Sequence, residues 1–163
     1  MELLVDNLRS TAQNIIDRLH ESIELEETDY IPVTDDKILA YQTLLQMKLP
    51  DWYINFQKEF GQIECLIEQD GRKYWFSTFS IDDSQGHYQD LYDANGEMKQ
   101  RIPLGTDMGG RAVFYSERDG RNGIYISYSI PDSTYFRFIA DTLEDFLFRG
   151  IGISVFLSKI NPE

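Results

Sequence analysis

The feature that most constrains this chain is a change of hydrophobic period at Gly61. Before it, apolar residues return every three or four positions, the repeat of a helix with one buried face. Leu4, Leu8, Ala12, Ile15, Leu19 and Ile23 share such a face, with Asp6, Arg9, Gln13, Asp17 and Glu21 mostly opposite. Glu24, Glu26 and Glu27 then crowd a C-terminal end, where the helix dipole disfavours negative charge, so this helix is expected to stop there. Pro32 and Thr34 open a second helix, capped by Thr34 and carrying Asp35 and Asp36 in its first turn. Leu49-Pro50 breaks it, and Pro50 suits the first position of a third helix bearing Trp52, Phe56 and Phe60. Gly61 is its C-terminal stop.

Beyond Gly61 the period is two. Ile63, Cys65 and Ile67 alternate with Glu64 and Glu68, Asp70-Gly71 marks a tight hairpin turn, and residues 74–79 return as the partner strand. Residues 80–100 are polar and weakly patterned and read as a loop, with a turn at Asp93-Ala94-Asn95-Gly96. Strands are expected at 101–104, 111–116, 123–129 and 135–139, the first three separated by Gly105, Gly109-Gly110 and Gly120-Arg121-Asn122-Gly123. Pro131-Asp132 precedes the last of them, and Asp141 or Thr142 then caps a short helix with Leu143, Phe146 and Leu147. Helices, a mostly antiparallel twisted sheet and a closing helix make an α+β fold. At 163 residues the chain is expected to form one domain, 1–163.

Charge narrows the function classes. The net charge is −13, and it is uneven: residues 1–40 hold 10 acids and 3 bases, residues 41–100 hold 10 and 5, and residues 101–163 hold 8 and 7. Nucleic acid is a poor direct ligand for such a surface, because phosphates are held by Lys and Arg. Basic proteins are the natural partners of an acidic surface. One cysteine and two histidines exclude a disulfide framework and make a zinc centre improbable. No apolar run approaches the roughly 20 residues of a membrane helix, and the first residues lack the pattern of a secretory signal. The expected compartment is the cytoplasm.

No catalytic constellation emerges. His20 precedes Glu24 by four residues and reads as half of a helical ion pair. His87 follows Gly86 in the polar loop, near Asp82, Asp83 and Asp90; a hydrolase built on His87 with Asp83 or Asp90 is the residual enzymatic reading. Cys65 lies on the inward face of a strand and reads as an inert core thiol. Gly105-Thr106-Asp107-Met108-Gly109-Gly110 lacks a Gly-Lys-Ser/Thr ending and leads into a strand, so it is turn chemistry and not a phosphate loop. Asp82, Asp83, Asp90, Asp93 and Glu97 do not have the spacing of a calcium-binding loop and read as solvated. The 10 Tyr, 10 Phe and 2 Trp carry core periodicities, so most are expected inside.

Three local patterns, in order, resemble the SUKH superfamily, which includes the Smi/Knr-type cell-wall regulators and many bacterial immunity proteins. Leu49-Pro50-Asp51-Trp52-Tyr53-Ile54-Asn55-Phe56 is like its Leu-Pro opening of a helix that packs on the sheet. Ile102 to Tyr115, containing Gly105, Asp107, Gly109 and Gly110, is like its Ile-Gly-x-Asp-x-Gly-Gly turn between central strands. Gly123-Ile124-Tyr125, with residues 139–147, is similar to its Val-Tyr strand and closing helix. The resemblance spans 34–149, leaving an extra N-terminal helix in 1–33 and a tail in 150–163. Glu59-Phe60-Gly61 departs from the usual Asn-Gly or Gly-Gly pair, and Thr142-Leu143 from the common Ser-Phe.

The resemblance implies a non-enzymatic protein without cofactor or metal that binds and neutralises a cognate toxin, often a basic nuclease. The alternative it carries is a scaffold or regulatory adaptor without a toxin partner; the oligomeric state is open. Charge then places the expected interface on Asp82, Asp83, Asp90, Asp93 and Glu97, with Glu24, Glu26 and Glu27 second.

Overall fold

The computed structural model describes residues 11–92, 99–107, 109–127 and 136–158. The expected turn at 93–96, the candidates Asp93 and Glu97, Leu4 and Leu8 of the first helix, Pro131-Asp132, and the outer ends of the last two strands lie outside them. In chain order the described elements are helical residues 11–18 (α1), β1 (Ile23–Asp29), α2 (Asp35–Leu45), α3 (Asp51–Phe60), β2 (Gln62–Gln69) and β3 (Arg72–Thr78). There follow α4 (Ile81–His87), a π-helical turn (Tyr88–Tyr92), β4 (Ile102–Asp107), β5 (Ala112–Ser116), β6 (Gly123–Ser127), β7 (Phe136–Ala140), α5 (Leu143–Leu147) and α6 (Ile153–Leu157). The seven strands form one sheet in chain order, every neighbouring pair antiparallel. The fold is α+β, as the change of period implies.

Several local expectations hold in atomic detail. The Thr34 hydroxyl accepts from the Lys37 amide at the start of α2, and Thr142 does the same for Asp145 at the start of α5. Gly61 ends α3 at φ +65°, whereas Pro50 falls one position before its expected place as the first helical residue and is the cap. Asp70 and Gly71 both have positive φ and join Gln69 to Arg72 in a two-residue hairpin. Ile63, Cys65 and Ile67 are fully buried. Around them lie Phe76, packed on Phe146 and Phe156, and the pair Phe56–Phe60, with Phe60 against Phe148. Trp52 of α3 meets Tyr115 of β5 edge-on. The helices thus cover one face of the sheet.

Four expectations are corrected. The first helix does not run to Glu24: it ends at residue 18, and Ile23–Asp29 is an edge strand. A helix there would gather the acids of 24–29 at a negative dipole end. Pairing with β2 satisfies the same backbone and buries Ile23. The described part of 1–33 therefore holds a helix and a strand. Residues 81–92 are helical and not a loop. Ser80 caps α4 by accepting from Asp83, and buried Ile81, Ser84 and Tyr88 form its inner face.

Gly105 does not end a strand but lies inside β4. A Cβ there would fall 2.4 Å from the Ser77 carbonyl oxygen and 2.9 Å from the Phe76 ring, so close approach between strands requires glycine. The tail, finally, forms α6, whose Phe156 is fully buried.

Candidate protein-binding surface

Strand alternation gives the sheet two faces. The face away from the helices differs along its length. Over β5–β7 it is closed by aromatic rings: Phe114 stacks on Tyr125 and meets Phe136 edge-on, and Tyr125 meets Phe138. The Arg101 guanidinium lies 4.7 Å from the centre of the Phe136 ring and forms a two-pronged pair with Asp119. Burial works against the charge of Asp119, but hydrogen bonds from Arg101 and Ser116 and the nearby positive charges outweigh it, holding the carboxyl below its usual range. Arg121 lies over Phe138 and pairs with Asp141. Both of these arginines are thus paired with an aspartate.

Over β1–β3 the same face carries, among the described residues, no such stack of rings. Leu66 and Trp75 sit directly opposite each other on β2 and β3, both half-buried and both outside the core cluster. Most described aromatic residues are in or against the core, as expected; Trp75 is an exception, because residues 74 and 76 take the inward positions of β3. Around this pair stand Glu24, facing Leu66, and Glu68, facing Lys73. Glu24 lies 3.5 Å from Lys73 in an exposed ion pair, a weak contact. Glu27 faces Glu64 across the strands, two like charges in direct register. Glu27, Asp29, Gln62 and Glu64 line a shallow hollow there. Partial desolvation, followed by the charge and hydrogen bond of Glu27 and the charge of Glu26, raises the Glu64 carboxyl above its ordinary value. A β-bulge between Leu25 and Glu27 sets this register. Among the described residues β1 pairs with β2 alone, so its other side is a free sheet edge.

The other expected acids lie elsewhere. Asp82 and Asp83 occupy the first turn of α4, where the dipole and the Ser80 cap favour them, and Asp82 is paired with Lys37 at 2.9 Å. Asp90 is exposed in the π-helical turn. The structure thus separates the two groups of acids by element, and brings Glu27 and Glu26 together with Glu64, a residue that charge counting passed over. The signal was present in β2, where Leu66 interrupts an otherwise polar outward series of Gln62, Glu64 and Glu68.

The remaining single-residue candidates resolve into structural roles. His20 lies beyond α1 and not in a helical pair with Glu24; its Nδ1 accepts from the Ser22 amide, and its ring fills the space beside Gly150. His87 ends α4 and stacks on Phe79, with ring centres 4.2 Å apart. Cys65 is buried, and desolvation pushes its thiol up to about 12, far from a reactive thiolate. Asp107 holds the β4–β5 turn: its carboxylate accepts from the amides of Gly109 and Arg111 and from the Arg111 guanidinium. Gly110 supplies the positive φ of that turn. Arg111 in turn donates to the Phe156 carbonyl of α6. Among the described residues, no three of His, Cys, Asp and Glu group as a metal site, and no helix is long and apolar enough to cross a membrane.

The family model described as SMI1 / KNR4 family (SUKH-1) matches residues 32–149, well over half of the chain. No curated protein matches the chain. The matched span begins within two residues of the expected start and includes α2 to α5. It leaves out α1, β1 and α6.

Proposed function

Since the chain belongs to the SMI1 / KNR4 family (SUKH-1), we propose that it is a non-enzymatic immunity protein that binds and neutralises a cognate protein toxin in the cytoplasm. The SUKH superfamily includes many immunity proteins, and family membership is the observation that carries this reading. The acidic surface supports a basic partner: nucleases that hold phosphate backbones are basic, and opposite charge speeds and orients capture. The unmatched carboxylates on the outer face of β1–β3 agree with a partner held by charge and shape.

The test is co-expression with the toxin encoded beside this gene. Cells producing the toxin with this protein survive, and the two proteins co-purify. Equal killing with and without the protein overturns the proposal.

A further inference from the structure

We infer that the outer face of β1–β3 is the docking surface, and that its occupant is a basic protein surface presenting an arginine. The guanidinium enters between Glu27 and Glu64, and its stem lies toward Leu66 and Trp75. This deepens the protein-binding reading above; it does not require that the partner be a toxin.

Three independent features of the face meet here. The first is shape and polarity: an apolar pair, Leu66 and Trp75, stands in direct register and is ringed by Glu24, Glu64, Glu68 and Lys73. Apolar centres with polar rims mark protein interfaces, and Trp is prominent among the residues that carry binding energy. The second is unmatched charge. Among the described residues Glu26, Glu27, Asp29 and Glu64 have no ion pair, while Asp107, Asp119, Asp141 and Asp145 each have an arginine. Glu27 faces Glu64 in direct register and adds to the cost of ionising Glu64, and an arriving cation offsets that cost. The third is contrast within one sheet: among the described residues, rings and paired charges close the outer face of β5–β7 but not that of β1–β3.

Arginine fits better than lysine because its planar fork can engage two carboxylates and its face can stack on an indole. A second copy of this chain is the wrong occupant, since it brings the same carboxylates.

The experiment needs no identified partner. The 15N-labelled protein is titrated with the peptide acetyl-Ala-Arg-Ala-Arg-amide and, separately, with its Glu analogue, following amide shifts. Shifts for the arginine peptide are expected at Glu27, Glu64, Leu66 and Trp75, with none for the Glu peptide. The double variant Glu27→Gln/Glu64→Gln weakens binding by about tenfold or more, as expected for charge-assisted hydrogen bonds. It melts no lower than the wild type, because it removes a repulsion; weaker binding by a protein of equal or greater stability cannot come from misfolding. Trp75→Ala weakens binding with the charges intact.

Shifts centred on Asp82, Asp83 and Asp90, or shifts unchanged in the double variant, overturn the inference. A concentration-dependent dimer that Trp75→Ala dissolves also overturns it, in favour of self-association. The two proposals separate cleanly. Neutralisation of the neighbouring toxin by the double variant at wild-type potency leaves the function standing and removes this face. Arginine binding at this face without toxin protection does the reverse.

Discussion

Replacing Asp107 tests how a family-type turn holds a segment outside the family match. Its side chain and that of Arg111 are 10% and 11% exposed, and the carboxylate receives two backbone amides besides the guanidinium. Asp107→Ala strands a nearly buried guanidinium, a change that costs about 3–5 kcal/mol. Asp107→Asn keeps an oxygen for the two amides and loses only the charged partner, at about 1.5–3 kcal/mol. In a domain of this length 1 kcal/mol moves the melting midpoint by roughly 2–4 °C, so Asp107→Ala should melt roughly 6–20 °C lower. The loss should also be local. Arg111 donates to the Phe156 carbonyl and lies 4.8 Å from the centre of its ring, so α6 should fray first. Urea melts give the magnitude, and hydrogen exchange at the Phe156 and Ser158 amides, both bonded within α6, gives the location. A loss below about 1 kcal/mol, with α6 exchange unchanged, would refute the account.

Glu64→Gln should stabilise the free protein at neutral pH by about 0.2–1 kcal/mol, the usual size of a cross-strand pair effect. The folded carboxyl titrates above its ordinary 4.5, so ionisation costs stability as pH rises through the raised value. The advantage of the variant should therefore shrink as pH falls below 4.5, where Glu64 is protonated in both states. Urea melts at pH 7 and pH 4 check this; an equal gap at both would exclude the electrostatic cause. Gly105→Ala should cost about 1–3 kcal/mol through overpacking against the Ser77 carbonyl. Gly86→Ala, with open space around it inside α4, should cost nothing, and a comparable loss at both positions would discard the close-approach explanation.

What the sequence disclosed follows from how local each signal is. The caps at Thr34 and Thr142, the Asp70-Gly71 turn and the alternation of Ile63, Cys65 and Ile67 act within a few residues of chain, and each is legible. β1 is not. Its Ile23 continues the helical spacing of Ile15 and Leu19, and only the free edge of β2, forty residues on, makes a strand the better outcome. α4 hid because its inner face is Ile81, Ser84 and Tyr88, and a serine counts as polar in any pattern. That Ser84 is buried because it bonds the Tyr41 hydroxyl and the Pro103 carbonyl, partners from distant segments. Glu24, Glu26 and Glu27 were visible as charge. The face they belong to was not, because Glu64, Leu66 and Trp75 join it only once the register of three strands is set.

The distribution of paired charge carries the functional argument further than the total. Residues 101–163 are nearly neutral, with 8 acids to 7 bases, and the structure shows where that balance is used: Arg101 with Asp119, Arg111 with Asp107, Arg121 with Asp141 and Arg149 with Asp145. Two of these pairs, Arg101–Asp119 and Arg111–Asp107, are largely buried and hold a turn or a ring in place. The excess acid sits instead on surfaces, and the two acidic groups are not equivalent there. Asp82 and Asp83 have a local reason to exist, since they begin a helix. Glu27 facing Glu64 has none, because the pair opposes the strand pairing on which it sits. The docking inferred above would give this pair the cation that it lacks among the described residues, whereas Asp82 already has Lys37, so that inference favours the β1–β3 face over α4.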